Sequence, residues 1–529
     1  MDTVLYKIDS ENQKKEREDS AEILRRGGLV AIPTETVYGL AANALDGGAV
    51  KKIFKAKGRP QDNPLIVHIS SFDEIYPLVK EVPKEAFALA EKYWPGPLTM
   101  IMPKSDLIPD EVSAGLSTVA IRMPSHPIAR AIIKAAGVPL AAPSANSSGL
   151  PSPTKASHVF DDMNGKIDAI VDSGECGVGV ESTVITLATK PPRLLRPGGI
   201  TPEQLTAVLG KIDIDNAVTH KLAEGAVASS PGMKYKHYSP KAQVYIIKGP
   251  FPSYRCFTDY EKKDGDMAVC FDGEEKLLGI DAVSYGAEND SKTQAHRLFD
   301  LLRNADKVGA KRVFVRYPKT DGVGLAVYNR LIRAAAFRII NVPPIYGLTG
   351  STGAGKSTVA AELQKRGWRI IDGDMAAREV MKKGSPLLDK LKEEYGEDII
   401  LPDGSLDRKA LAKKAFKDKS SAKRLGELTH PAITDLVMRQ IIKEKDEYPV
   451  FVIDAALITE CKMYDYISKL IVVTADEEIR LKRITERDGI SEQAAKERIN
   501  AQPSAQYYES KADVIIKNNG GEIDLSDIF

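Results

Sequence analysis

Short apolar runs bounded by glycine, proline or charged residues recur along the chain, and runs of this kind read as buried strands. In the first part they fall at residues 29–33, 63–69, 118–124 and 139–143. Further runs at 243–247, 267–271 and 312–316 alternate with helical patterns near 291–304 and 326–337, which predicts a small α/β domain. From residue 343 the runs at 344–349, 368–371, 449–454, 470–474 and 513–516 are apolar without alternation, with helical stretches between them. Strands of that type are buried on both faces, so this last part predicts a parallel sheet.

At 529 residues the chain is too long for one core. The pattern divides it into 1–228, a connector at 229–242, a middle domain at 243–342 and a last domain at 343–529. A composition of 43% hydrophobic and 28% charged residues lets each domain bury a core. The net charge of +1 gives no global drive toward nucleic acid or membrane surfaces, leaving only local basic clefts for anions. Cys176, Cys256, Cys270 and Cys461 have no C-x-x-C spacing, which argues against a zinc site or a disulfide framework. Residues 9–19 are polar and no apolar stretch approaches the length of a membrane span. The expectation is a cytoplasmic protein with no membrane association.

The most specific motif is Gly350-Ser351-Thr352-Gly353-Ala354-Gly355-Lys356-Ser357-Thr358, which fits G-x-x-x-x-G-K-[ST]. Its glycines let backbone N–H groups close around phosphate oxygens, Lys356 reaches the β- and γ-phosphates, and the Ser357 hydroxyl is placed to ligate Mg²⁺. An apolar strand before it and a helix after it fit a phosphate-binding loop, with the helix N-terminus facing the anion. Carboxylates close two of the strands, in Asp372-Gly373-Asp374 and at Asp454. Asp374 is the candidate base for an acceptor hydroxyl; Asp372 and Asp454 are alternatives or metal-shell groups, and a helix cap is the competing reading for each. Arg483 and Arg487, four apart on one helix face, are read as a lid over ATP or as a solvated face.

The first domain carries weaker signals, each with an ordinary alternative. Thr34-Glu35-Thr36-Val37-Tyr38 follows a strand and reads as a site edge or a capped helix start. Lys57 and Arg59, read as an extended segment before Pro60, project the same way and suit a polyphosphate, or form a solvated basic loop. Arg122 sits inside an apolar strand and needs an anion, either a carboxylate of the chain or a ligand. Ser144 and Asn146 point at a common place, and Gly179-Val180-Glu181-Ser182 and Arg196-Pro197-Gly198-Gly199 add two glycine-bearing loops. His68 alone reads as a satisfied core histidine.

Taken in order, PTETVYGL (33–40), KGR (57–59), NPLIVHI (63–69), AIRMPSHP (120–127), APSANSSG (142–149) and GVESTV (179–184) resemble the threonylcarbamoyl-AMP synthases over about residues 10–210. That resemblance implies an adenylate formed from L-threonine, bicarbonate and ATP with release of pyrophosphate, a product that transferases later place on tRNA. It implies that Lys57, Arg59 and Arg196 offset phosphate charge and that Arg122 clamps the threonine carboxylate. Thr36, His68 and Ser182 would line the amino-acid pocket, and Asn63, Ser144, Asn146 and Ser152 would face the nucleotide. Residues 229–240 resemble the connector of two-domain members, in which a tyrosine touches nucleotide; Tyr238 is the match, with Ser239 where alanine is usual. The middle domain carries no catalytic constellation and reads as a cover or regulatory part.

The phosphate loop, IDGD with Arg378 beyond it, DGSLDRKAL (403–411), LTHPAI (428–433), LKRITERD (481–488), RINAQ (498–502) and ADVIIKNNG (512–520) resemble dephospho-CoA kinase over about 344–525. This implies transfer of the ATP γ-phosphate to the ribose 3′-hydroxyl of dephospho-CoA, with Asp374 as base and Arg378 and His430 holding the acceptor. Gly373 stands where alanine is usual, residues 454–457 lack the usual proline, and the sequence stops soon after Gly520.

The two resemblances together imply an α/β chain: a YrdC-like twisted domain, a small Rossmann-like accessory domain, then a P-loop kinase with a parallel sheet. They imply a bifunctional enzyme using ATP with Mg²⁺ at both sites, with tRNA or a tRNA-modifying transferase as a partner downstream. The rival readings are an RNA-binding first module, a kinase for another small acceptor, or a degenerate ATP-binding regulator.

Overall fold

The computed structural model describes residues 2–8, 10, 13–221, 238–456 and 458–528. The part of the expected connector at 229–237 lies outside the described residues. The chain divides into two compact units. The first takes residues 1–246, 264–277 and 281–339; the second takes 247–263, 278–280 and 340–529.

In the first unit the strands predicted at 29–33, 63–69, 118–124 and 139–143 form as Val30–Ile32, Ile66–His68, Thr118–Arg122 and Leu140–Ala141. All are buried, as continuous apolar runs require. They join one sheet, which among the described residues has eleven strands in mixed orientation. Register fixes the site. Ile66–His68 runs parallel to Thr118–Arg122 so that His68 pairs with Arg122, and Thr99 faces Arg122 from the antiparallel neighbour Leu98–Pro103.

The stretch after the first strand is neither a helix nor a cap. Thr34 Oγ1 donates to Val37 O (2.6 Å), turning the chain into a strand at Gly39–Asn43 that pairs back on Val30–Ile32. The extended reading of Lys57–Arg59 is also corrected. Lys57 is the last residue of the helix Gly47–Lys57, whose start is capped by Asp46 accepting from Gly48 and Ala49 N–H. Val50, Ile53 and Phe54 bury its inner face at about 1.5–3 kcal/mol each. Gly58, at φ 62°, then ends the helix in the left-handed conformation that a residue with a Cβ resists. The turn, not an extended strand, aims Lys57 and Arg59 together.

The strands Gln243–Lys248, Asp266–Cys270 and Arg312–Arg316 form the predicted middle sheet, with Asp281–Ser284 and Ile339–Asn341 at its edges. The helices Ser291–Lys307 and Gly324–Ala334 bury Leu298, Phe299, Leu302, Val327 and Leu331 into a core that also takes in Val37, Val180 and Tyr238 of the first segment.

The second unit is built on a five-stranded parallel sheet in the order Arg369–Asp372, Phe451–Asp454, Ile345–Gly350, Lys469–Thr474, Val514–Lys517. Each predicted apolar run supplies one strand. The first strand in sequence lies at the centre, and its C-terminal end opens into the phosphate loop beside Asp372 and Asp454, which are paired in register. The helix Phe251–Glu261, from the middle segment, packs within this unit: Cys256 Sγ lies 3.6 Å from Met438 Sδ, and Tyr466 Oη donates to Asp259 Oδ2 (3.0 Å).

Candidate active sites

A cleft lined by polar and charged side chains opens in the first unit. Thr36, Lys57, Arg59, His68, Arg122, Ser144, Asn146, Ser182, Arg196 and Tyr238 line it. Residues as far apart in sequence as Thr36 and Tyr238 are thus brought to one place, and the cations among them give it positive character. Asn63 and Ser152, also read from the sequence, lie off the wall. Asn63 is fully buried with neither amide atom hydrogen-bonded. Ser152 is buried and donates to Glu181.

At one end Arg122 Nη2 lies 2.8 Å from Glu35 Oε1. Burial opposes ionisation of Glu35, but the Arg122 guanidinium beside it prevails and holds its carboxyl below the ordinary value. The carboxylate partner expected for a strand arginine is therefore a residue of the chain, and Arg122 still faces the cleft. His68 is buried, its Nδ1 lying 3.1 Å from Ile66 O; burial and the nearby Arg122 charge push its pKa down to about 3, so the imidazole is neutral at physiological pH. Ser182 Oγ lies 2.8 Å from Thr99 Oγ1 and accepts from Arg196 Nη2 at 3.1 Å. Burial lowers the Arg196 pKa to about 10, which leaves the guanidinium charged.

At the other end Lys57 Nζ donates to the carbonyls of Ser144 and Asn146 (2.7 Å to the latter), and Ser144 Oγ donates to Asn146 Oδ1 at 2.5 Å. Lys57 therefore ties down the Ser-x-Asn loop as well as facing the cleft. Burial, and next the Arg59 charge, hold its ammonium well below the ordinary lysine pKa. Gly198 lets its segment pass against the backbone of Glu181–Thr183, where a Cβ would collide.

Sequence reasoning missed Glu181 and the arginine that answers it. Arg330, fully buried on the helix Gly324–Ala334, donates through Nε to Glu181 Oε2 at 2.6 Å. Burial opposes the Glu181 charge, yet Arg330 and Arg196 hold its pKa below the ordinary value. The middle domain, read from sequence as a cover, thus contacts a residue of the cleft wall. No local pattern announces such a pair, because its partners are 149 positions apart.

In the second unit the loop Gly350–Thr358 leads into the helix Lys356–Lys365. Gly355 takes φ 87°, and a Cβ there would collide with the Asn518 amide. Lys356 pairs with Asp454. Burial lowers its pKa against the pull of Asp374 and then Asp372. Asp372 is the N-cap of the helix Gly373–Val380, accepting from Asp374 N (2.8 Å) and Met375 N (3.0 Å), so its carboxylate has a structural duty. Asp374, in the first turn of that helix, is exposed, and its charge opposes the lowering of the Lys356 pKa by burial. Arg378, in the last turn of the same helix, is exposed. His430, on the long helix Lys419–Glu444, lines a recess with Phe416, Thr429 and Cys461.

The two predicted lid arginines part company. Arg483 Nη1 donates to Asn518 O (2.9 Å) and to the Gly353 and Ala354 carbonyls, bracing the phosphate loop. Arg487 pairs with Asp488 and is largely exposed. Arg480, which the sequence did not single out, donates from Nε to Thr352 O at 3.0 Å, and Thr352 N donates to Gln502 Oε1 at 2.8 Å. Among the described residues no group of three His, Cys, Asp or Glu side chains could hold a metal ion, and no helix is long and apolar enough to cross a membrane.

Fold and site define an α/β synthase-type cleft with a cationic lining, followed in the same chain by a nucleotide-using P-loop kinase. Three family descriptions match in tandem: Telomere recombination at residues 22–198, Threonylcarbamoyl-AMP synthase, C-terminal domain at 200–336, and Dephospho-CoA kinase at 344–524. A threonylcarbamoyl-AMP synthase of Pyrococcus abyssi is 48% identical over 330 residues, covering 61% of this chain and 95% of the relative. A dephospho-CoA kinase of Shouchella clausii is 38% identical over 175 residues, covering 33% of this chain and 89% of the relative. The crystal structure of P. abyssi Sua5 complexed with L-threonine is similar at a TM-score of 0.61 and 45% identity, covering 64% of this chain and all (100%) of that one. The chain belongs to the threonylcarbamoyl-AMP synthase family in its first part and to the dephospho-CoA kinase family in its last.

Proposed function

We propose that the chain is a bifunctional enzyme: it forms threonylcarbamoyl-AMP from L-threonine, bicarbonate and ATP, and it phosphorylates the ribose 3′-hydroxyl of dephospho-CoA with a second ATP. The observation that carries the first activity is the convergence of Arg122 with Thr36, His68 and Ser182, and with Arg196 bonded to Ser182, in one cleft that also takes Lys57, Arg59 and Ser144. That layout suits a carboxylate and a triphosphate bound in one cleft. The threonine amine and bicarbonate give a carbamate and water; a carbamate oxygen attacks the α-phosphorus, and pyrophosphate leaves. The chain contributes positioning and charge neutralisation, with Arg122 holding the carboxylate, neutral His68 and Ser182 orienting the amino acid, and Lys57, Arg59 and Arg196 offsetting negative charge. Asn63, whose buried amide has no partner, is assigned to the nucleotide, with Asn146 and Tyr238 beside it and Ser152 acting through Glu181.

In the second unit Lys356 holds the β- and γ-phosphates, Asp374 takes the proton of the acceptor hydroxyl, and Arg378 and His430 hold the acceptor. Ser357 and Asp454 supply oxygen donors of the type Mg²⁺ takes, and the ion would come with the nucleotide and neutralise developing phosphate charge. In the first unit Mg²⁺ would likewise arrive on ATP. The product of the first reaction is suited to later transfer onto tRNA by a separate transferase.

The test is mass-spectrometric product analysis of the purified chain given ATP with each substrate set in turn. The expected results are threonylcarbamoyl-AMP with pyrophosphate in one case, and coenzyme A with ADP in the other. Absence of the first product alone would return the first unit to an RNA-binding module, and transfer to another alcohol in preference to dephospho-CoA would reassign the kinase.

A further inference from the structure

We infer that Arg303, carried by a helix of the middle segment, is a positioning residue for the nucleotide half of the first-unit cleft, an inference that rests on the synthase reading above. Arg303 lies on Ser291–Lys307 and is 8% exposed. Its Nη1 and Nη2 face Asp162 Oδ1 and Oδ2 at 3.2 and 2.8 Å, and Nη2 also donates to Pro151 O at 2.6 Å. Asp162 Oδ2 in turn accepts from Ser147 N at 3.2 Å. One guanidinium therefore grips both ends of the segment 147–151.

That segment continues the Ser-x-Asn loop. Asn146 Nδ2 donates to Ser147 O (2.9 Å) and Leu150 O (2.8 Å), Ser148 N donates to Lys57 O (2.8 Å), and Lys57 Nζ returns a bond to Asn146 O (2.7 Å). Lys57, Ser144 and Asn146 are thus one hydrogen-bonded body, and Arg303 and Asp162 form its outer brace. Arg330 does the same for the facing loops. It binds Glu181 Oε2 and also donates to Pro197 O (3.0 Å), joining the segment before Ser182 to the segment after Arg196. Its guanidinium carbon lies 5.7 Å from the Tyr238 ring centroid, a cation–π distance.

Ordinary packing between two domains would need neither a two-ended grip on a loop nor a charge fully removed from water, which costs several kcal/mol unless its partners are well placed. A cleft whose phosphate-facing groups sit on loops needs such bracing, because loops without it sample many arrangements. The residues assigned to threonine, Thr36, His68, Arg122 and Ser182, make no bond to Arg303 among the described residues. The Arg303 brace therefore acts on one substrate and not the other.

Arg303→Ala and Arg303→Lys in the full chain test this. Pyrophosphate release isolates the first site, since the kinase releases ADP. The expected result for Arg303→Ala is a KM for ATP raised about tenfold or more, with KM for threonine and kinase turnover within about twofold of wild type. Arg303→Lys keeps a charge opposite Asp162 but cannot span to Pro151, so its KM for ATP falls between the two. In parallel, hydrogen exchange at the Ser147 and Ser148 amides accelerates about tenfold in Arg303→Ala while the strand Thr118–Arg122 is unchanged. Unchanged exchange at those amides, or equal losses for ATP and threonine, would overturn the inference. A wild-type chain that released no pyrophosphate would count against the proposed reaction, and the exchange measurement would still decide the positioning role.

Discussion

Arg122 and Glu35 form a buried pair, Nη2 to Oε1 at 2.8 Å, in which a carboxylate of the chain holds an arginine that faces the cleft. Removing the charge of Glu35 leaves the buried Arg122 guanidinium without its ion-pair partner and free to turn. Glu35→Gln is expected to raise KM for threonine about tenfold or more while leaving KM for ATP within about twofold. Steady-state pyrophosphate release checks it, and equal effects on both substrates would show that the pair supports the fold rather than the clamp.

The same pair predicts a pH dependence. The native pKa of Glu35 is held below its unfolded value near 4.3, so its contribution to stability is fully present above that value. It is lost as pH falls through the depressed native pKa. Wild type should therefore melt higher than Glu35→Gln at pH 7, and the gap should close as the pH is taken well below 4. A gap that persisted unchanged at low pH would contradict the assignment.

His68 should not titrate in the physiological range. With its native pKa at about 3 and an unfolded value near 6.5, unfolding takes up a proton between those limits, so stability falls as pH drops from 6.5 toward 3. Nuclear magnetic resonance of the His68 ring from pH 5 to 8 should show one constant, neutral form. An inflection near 6.5 would place the imidazole in water and remove it from the pocket.

The kinase half separates two arginines on one helix. Arg480→Ala removes a bond to the Thr352 carbonyl of the phosphate loop and is expected to raise the kinase KM for ATP about tenfold, while Arg487→Ala changes it less than about twofold. A large effect at Arg487 and none at Arg480 would restore the lid reading and reject bracing of the loop.

Asp374→Asn, which cannot accept the acceptor proton, is expected to lower kinase kcat by about 10²–10⁴ with little change in synthase turnover. Arg59→Ala should do the reverse. Coupled assays on one preparation of each variant check both, and joint loss of the activities with the fold intact would contradict independent sites.

Much of this was legible in the sequence because local physics carries it. The parallel strands announce themselves as unbroken apolar runs, and the phosphate loop needs its glycines at fixed spacing for backbone reasons alone. Arg122 stood out because an arginine in an apolar strand must have an anion. Where the reading failed, the cause is equally specific. Lys57 ends a helix that Gly58 turns sharply, a geometry that a following proline disguised as extended chain. Asp372 could be base or cap, and the two backbone N–H groups it accepts decide for the cap. Glu181, Arg303, Arg330 and Arg480 matter through partners about 130 to 150 positions away, and no local pattern encodes a contact at that distance. The resemblance to two families supplied the rest of the site at positions such as His68, where chemistry alone favoured a core residue.

The central claim is that one polypeptide carries two independent nucleotide sites. Equilibrium titration with a non-hydrolysable ATP analogue counts them directly. Two analogues should bind per wild-type chain, and Arg59→Ala and Lys356→Ala should each lower that number to one, with the surviving site differing between the variants. A wild-type stoichiometry of one, or loss of all binding from either single substitution in a folded chain, would contradict it.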